Sequence, residues 1–245
     1  MSVVNKIANW QINPSFSSRT IHGYLVRKLG INIVSGLFPP GSIMPNEAQL
    51  LQENGVSRTA MREAIKILTA KGLLESRPRV GLRVRVAKDW NLLDPDVLGW
   101  YCEHGDFATI APKLNQMRRM VEPFAAALAA KYANAEQLAQ LRHAYEGMAQ
   151  AHNVDEWITF DLAFHEAILA ASGNELLVPL GNMIREGLRT IFTVSANDPN
   201  NTTYSLPMHK AVLDAIANGD AVMAESKMLE ILQKSSEAIG YELSE

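Results

Sequence analysis

Apolar residues near the start of the chain recur at helical spacing. Ile21, Leu25, Leu29 and Ile33 fall four apart, which predicts a helix over residues 18–34 with one buried face and a serine available as N-cap. The stretch SGLFPPG ends it. A second, short helix is predicted in PNEAQLLQENG, where Asn46 can cap, Gln49 three residues on can complete a capping box, and Gly55 can terminate. The third opens on Ser57, buries Met61, Ala64, Ile65 and Leu68, and stops at Gly72. After Gly72 the period changes to two. LLES, the turn-like RPRVG and LRVRV predict a hairpin in which Leu82, Val84 and Val86 alternate with Arg83 and Arg85. Three helices and a hairpin between residues 18 and 88 predict a winged helix-turn-helix with a small β-hairpin wing.

Residues 89–104 read as a linker carrying Pro95 and two tryptophans that dock on neighbouring surface. From residue 105 to 245 the pattern is helical without alternation or repeat. Helices are expected at about 107–132, 134–152, 154–172, 174–195, 205–218 and 220–240. Asn134 with Gln137 has the spacing of a cap, Gly173 closes a helix, and Asn174 can open the next. Pro123 and Pro179 fall inside helical patterns and are expected to kink them. The fold class is therefore mainly α: a winged-helix head, a linker and a C-terminal all-α antiparallel bundle.

Charge divides the chain at the same place. Residues 1–88 hold 13 Lys+Arg against 4 Asp+Glu, a balance of +9, whereas residues 89–245 hold 10 against 22, a balance of −12. A basic head suits a polyanion, and an acidic remainder does not. No stretch reaches the roughly 18 apolar residues of a membrane span, and the first residues lack the order of a signal peptide, so a cytoplasmic protein without a membrane partner is expected. The one cysteine, Cys102, excludes an internal disulfide and a thiolate-rich zinc site, and reads as a small core residue.

Arg58 and Arg62 are one turn apart on the third helix, opposite Met61 and Leu68. Arginines at the head of such a helix match the O6/N7 pair of guanine, while Ser57 and Thr59 can donate to phosphate. Arg77, Arg79, Arg83 and Arg85 on the hairpin are expected to reach flanking phosphate or minor groove. The run PPGSIMPNEAQLLQENGVSRTAMREAIKILTAKGLLESRPRVG resembles the N-terminal signature of the GntR family of bacterial transcription regulators, and the helical remainder resembles its FadR subfamily. The resemblance implies DNA contacts by Ser57, Arg58, Thr59 and Arg62, and by the wing tip at Arg79 and Gly81. Two positions depart from the pattern. Ala48 stands where family members often carry arginine, and Arg79-Val80-Gly81 replaces a glycine-x-glycine wing.

In the acidic part, Asp161 and His165 in FDLAFHEAILAASGN project from one helix face at a spacing that can serve one metal ion, and His209 can add a third ligand. The subfamily resemblance implies this same set plus a later histidine, at whose position Ile231 stands. A divalent metal, zinc, nickel or manganese, is thus a candidate cofactor. Arg118, Arg119, Arg185 and Arg189 lie in otherwise apolar helices, where an inward guanidinium needs an anion. Arg118 and Arg189, with Asn174, are the candidate contacts for a small carboxylate effector. The resemblance favours an organic acid, and the linker resembles that of regulators of aldonate or hexuronate catabolism.

The expected function is a ligand-responsive transcription repressor, a homodimer on a pseudo-palindromic double-stranded DNA operator, and not an enzyme. A metal-free regulator with an acyl or other hydrophobic ligand is the alternative. A metal-dependent hydrolase built on Asp161, His165 and His209 has only Glu166 to offer as a base. His22, His104, His143 and His152 show no partner pattern.

Overall fold

The computed structural model describes residues 21–196, 201–238 and 240. The chain divides into two compact units, Met1–Trp100 and Tyr101–Glu245. In the first, α1 (Ile21–Val34), α2 (Glu47–Asn54) and α3 (Arg58–Ala70) precede a hairpin of β1 (Leu74–Arg77) and β2 (Gly81–Val84), antiparallel with Leu74 opposite Val84. The expected start of the first helix at residue 18 lies outside the described residues. The caps are those the sequence predicts: Asn46 and Gln49 form a reciprocal capping box, and the Ser57 hydroxyl accepts from the N–H of Ala60. Gly55 and Gly72 close α2 and α3 at φ of 61° and 76°, backbone that favours glycine. Leu25, Leu29, Ile33, Met61, Ala64, Leu68 and Val84 are the buried core, and the alternation of the second strand fails at exposed Val86, beyond its end.

Residues 89–100 belong structurally to this head. A 3-10 turn over Ala87–Asp89 leads to a helix that the periodicity does not predict, α4 (Pro95–His104), which runs across the division between the units. Trp90, Val97, Leu98 and Trp100 are buried, so this stretch completes a core rather than merely joining two. The Trp100 ring lies where a Cβ on Gly30 of α1 would stand, which is why α1 carries a glycine mid-helix despite its cost to helix stability. Lys71, at the C-cap of α3 and 6% exposed, is held by Asp94 at 2.8 Å and Asp96 at 2.7 Å. A buried ammonium needs such partners, because desolvation without them costs several kcal/mol.

The second unit is helical throughout its described residues: α5 (Phe107–Tyr132), α6 (Ala135–Ala149), α7 (Val154–Ala171), α8 (Leu177–Ala196), α9 (Asn201–Ala217) and α10 (Ala221–Ala238). Helix α5 packs against α10 and α7, and α7 also against α6 and α8. Asn174 heads a separate turn, its Oδ1 accepting from Leu176 N–H, so α8 starts three residues later than the sequence suggests. Pro179 then occupies the first turn of α8, where a missing N–H removes no helix bond. The kink expected there loses its physical basis. Pro123 does sit inside α5 and leaves the Arg119 carbonyl without its helical donor. Among the described residues no helix is long and apolar enough to cross a membrane. Cys102 is buried, and desolvation pushes its thiol up to about 12, so at neutral pH it is an inert core group.

Replacing Trp100 by Ala removes the ring that covers Gly30 and is expected to destabilise the head by about 3–5 kcal/mol. Urea unfolding of the full chain reads this as an earlier transition for the winged-helix unit; an unchanged midpoint contradicts a core role for α4.

Candidate nucleic-acid interface and candidate metal centre

Helix α3 buries Ala60, Met61, Ala64 and Leu68 and turns its other side outward. Arg58 and Arg62 lie there with side chains 70% and 65% exposed, and Thr59 is exposed beside them. Both arginines approach one carboxylate oxygen, Oε1 of Glu47 on α2: Arg62 Nε donates to it at 3.2 Å and Arg58 Nε lies 3.4 Å away. Ser57 Oγ accepts from the N–H of Ala60 in capping, and its O–H can still donate outward. On the wing, Arg79 takes a φ of 65° at the turn before Gly81, whose φ is 99°. A side chain in left-handed backbone is uncommon and places Arg79 at the tip. The other wing arginines have partners within the head. Arg83 folds back to donate to the Gly41 carbonyl at 2.9 Å, Arg77 pairs with Glu75 at 3.0 Å, and Arg85 lies 3.7 Å from Asp89. These three have intramolecular partners that compete with phosphate.

The second unit brings Asp161, His165 and His209 together, all buried, with one ligand atom of each within 4.8 Å of the others. Helix α7 presents Asp161 and His165 because both fall on its buried face with Trp157, Ile158, Leu162 and Ile168. His209 comes from α9. Its Nε2 lies 3.0 Å from Asp161 Oδ1, and His165 Nε2 lies 3.3 Å from the same oxygen. The opposite ring nitrogens are engaged elsewhere. His209 Nδ1 is 2.8 Å from the Ser205 carbonyl, to which it can only donate, and His165 Nδ1 is 2.7 Å from Glu122 Oε2. That arrangement directs both Nε2 atoms towards the aspartate, the outer-shell pattern that orients histidine ligands. Each of the three offers an atom of a type that ligates divalent metals, and these atoms lie close enough together to serve one ion.

Glu122 is the participant the sequence reading missed. It is buried on α5, and Arg118 Nε donates to it at 2.7 Å from one turn earlier. The i, i+4 spacing of Arg118 and Glu122 was the available signal; what it could not show is that both face inward. Burial opposes ionisation of Glu122, yet Arg118 and His165 hold its carboxyl down at about 2. Burial likewise opposes a charged His165, but Glu122 and Asp161 lift it to about 9. Asp161, also desolvated, is held well below the carboxylate range by His209 and His165.

A small cavity opens on this cluster, with about 420 Å³ of empty space when the open solvent at its mouth is included. Arg118, His165, Ile231, Lys234 and Ser235 line it, and three buried polar atoms of these residues have no hydrogen-bond partner: Arg118 Nη1, Ser235 Oγ and His165 Nδ1, the last within ion-pair distance of Glu122. The other effector candidates lie elsewhere. Arg189 is half-buried on α8 outside the lining, and Asn174 is exposed, outside the lining and engaged in its own turn. Arg119 donates to Gln233 at 2.9 Å. Arg185 pairs with Glu166, so the carboxylate that a hydrolase needs as base is occupied by a guanidinium. Ile231 packs on the cavity wall with 7% exposure.

A winged helix-turn-helix with an exposed arginine face, followed by an all-helical unit with a buried polar cluster, defines a DNA-binding transcription regulator. Residues 24–84 match the model of bacterial regulatory proteins of the gntR family, and residues 113–234 match the FCD domain. The HTH-type transcriptional regulator YieP of Escherichia coli is 38% identical over 210 residues, covering 84% of this chain and 90% of that protein. The galactonate operon transcriptional repressor of Escherichia coli is 35% identical over 215 residues, covering 86% and 93%. The solved structure of Lar, which controls expression of the Listeria monocytogenes agr system, has the same fold, with a TM-score of 0.66 at 17% identity over 92% of this chain and 99% of that one. The chain belongs to the GntR family of transcription regulators, with an FCD domain as its second unit. Its relatives are regulators and not enzymes.

Glu122→Gln leaves the Arg118 guanidinium buried without its counter-charge and is expected to cost about 3–5 kcal/mol. The double variant Arg118→Met, Glu122→Leu recovers most of that loss, since it removes both charges together. Chemical denaturation of the three proteins under chelating conditions decides the matter; equal stability of wild type and Glu122→Gln counts against a charge-neutralising role.

Proposed function

We propose that this regulator is a repressor of an organic-acid catabolic operon, released by a small carboxylate that binds a divalent metal held by Asp161, His165 and His209. The observation that carries this reading is the meeting of three ligand atoms with an unpartnered guanidinium nitrogen, Arg118 Nη1, in one cavity. A carboxylate would answer both: a metal held by Asp161, His165 and His209 would supply positive charge for it, and Arg118 Nη1 would donate to one of its oxygens. The metal supplies charge and open coordination positions; this chain's residues do the rest. Asp161 and the two imidazoles hold it, Ser205 and Glu122 fix the ring orientations, and Ile231 adds no ligand. Three protein ligands would leave such a metal able to accept an effector's oxygens. The relatives that repress or regulate galactonate and uxu operons support a sugar acid as the class.

In the head, Arg58 and Arg62 read guanine edges, Ser57 and Thr59 hold phosphate, and the wing tip at Arg79 and Gly81 reaches the flanking groove. Two chains pair so that two such heads meet half-sites about 34 Å apart, and effector binding alters that spacing. A second reading draws on Ile231, Phe192 and Met208, which make part of the cavity wall apolar: a metal-free site for an acyl ligand.

Elemental analysis of the purified protein separates the two. Near-stoichiometric zinc, nickel or manganese in the wild type, lost in His165→Ala with helicity retained, supports the metal site. A metal-free wild type whose melting temperature responds to acyl ligands and not to sugar acids supports the second reading. Arg62→Ala is expected to lose about 1–3 kcal/mol of specific binding per half-site, and an unchanged operator footprint contradicts base reading by that residue.

A further inference from the structure

An acidic side chain stands in the middle of the face assigned to DNA. Glu47, the first residue of α2, is one of four acidic residues among the first 88. Its carboxylate lies against the two arginines proposed as base readers, with Oε1 at 3.2 Å from Arg62 Nε and 3.4 Å from Arg58 Nε. A carboxylate beside phosphates weakens binding to any DNA sequence, so its presence there calls for a specific task.

We infer that Glu47 is a positioning residue for base reading, which grips both guanidinium groups at Nε and turns their terminal nitrogens towards the base edges. The inference rests on the reading of Arg58 and Arg62 as base contacts. Guanine O6 and N7 are matched by a pair of guanidinium N–H groups, and with Nε engaged the end-on pair is the one left to present. Long arginine side chains lose much rotamer freedom on binding; one already held in place loses less. The anchor is itself fixed. Asn46 and Gln49 lock the first turn of α2 reciprocally at 3.1 and 3.0 Å, and Arg58 begins α3 while Arg62 follows one turn later. The carboxylate thus bridges the two helices of the motif at the point where both meet DNA. Ala48 beside it brings no cation of its own.

An exposed ion pair of this kind contributes little to folding, which makes the test clean. Full-length wild type is used to select a binding site from random duplexes. Wild type, Glu47→Gln, Arg58→Ala and Arg62→Ala are then compared on that site, on a scrambled duplex, and on the site with 7-deazaguanine at its selected guanines, which lacks the N7 acceptor. Glu47→Gln is expected to lower the ratio of specific to non-specific affinity about tenfold, with non-specific affinity unchanged or higher because a negative charge has gone. The deazaguanine substitution is expected to weaken wild type strongly and Glu47→Gln far less, a coupling that a merely structural role does not produce. Full discrimination in Glu47→Gln alongside its loss in the arginine variants overturns the positioning role and leaves base reading intact. Full discrimination in Arg58→Ala and Arg62→Ala overturns both. An equal fall on specific and scrambled DNA, or a lowered melting temperature for Glu47→Gln, also overturns the inference.

Discussion

The helical unit depends on charges that can be buried only together. Arg118, Glu122, His165, Asp161 and His209 form a continuous run of ionisable groups, all buried and each within contact distance of the next. Any one of them alone is costly in such a place. In the set each carboxylate stands between nitrogen groups that can donate to it: guanidinium, carboxylate, imidazole, carboxylate, imidazole. The run begins on α5, crosses to α7 and ends on α9, so three helices are registered against one another by electrostatics as well as by packing. Apolar contacts between helices tolerate a shift of a fraction of a turn; a carboxylate shared between two rings does not.

The head solves a similar problem on a smaller scale. Lys71 lies at the end of α3 and is buried under Asp94 and Asp96, which flank the start of α4. Around it Trp90 and Trp100 complete the core that α1 and α3 begin. The winged-helix unit therefore extends past its wing to the first half of α4.

Much of this was legible in the sequence, for identifiable reasons. Capping residues at Asn46, Ser57 and Asn134, glycine stops at Gly55 and Gly72, and four-residue apolar spacing are local signals, and local signals survive without a structure. The Asp161–His165 pair was visible because i, i+4 is a helical neighbour relation. What was not legible is orientation at a distance. Arg118 and Glu122 could equally have been an exposed pair; only the packing of α5 on α7 and α10 buries them beside the Asp161, His165 and His209 cluster. Helix α4 escaped notice because Pro95, Gly99 and a run of acidic residues look like a connector. Asn174 misleads because a capping residue and the turn it closes can precede the helix proper.

The Lys71 cluster separates two kinds of charge in the head. Arg58 and Arg62 are exposed, so dissolved ions screen them within a Debye length of about 8 Å at physiological strength. Lys71 and its aspartates are shielded from that screening by burial. Raising ionic strength thus weakens the hold on a polyanion while the ionic fastening inside the head stays intact. The buried fastening of α3 to α4 is thus insensitive to the conditions that govern the surface charges.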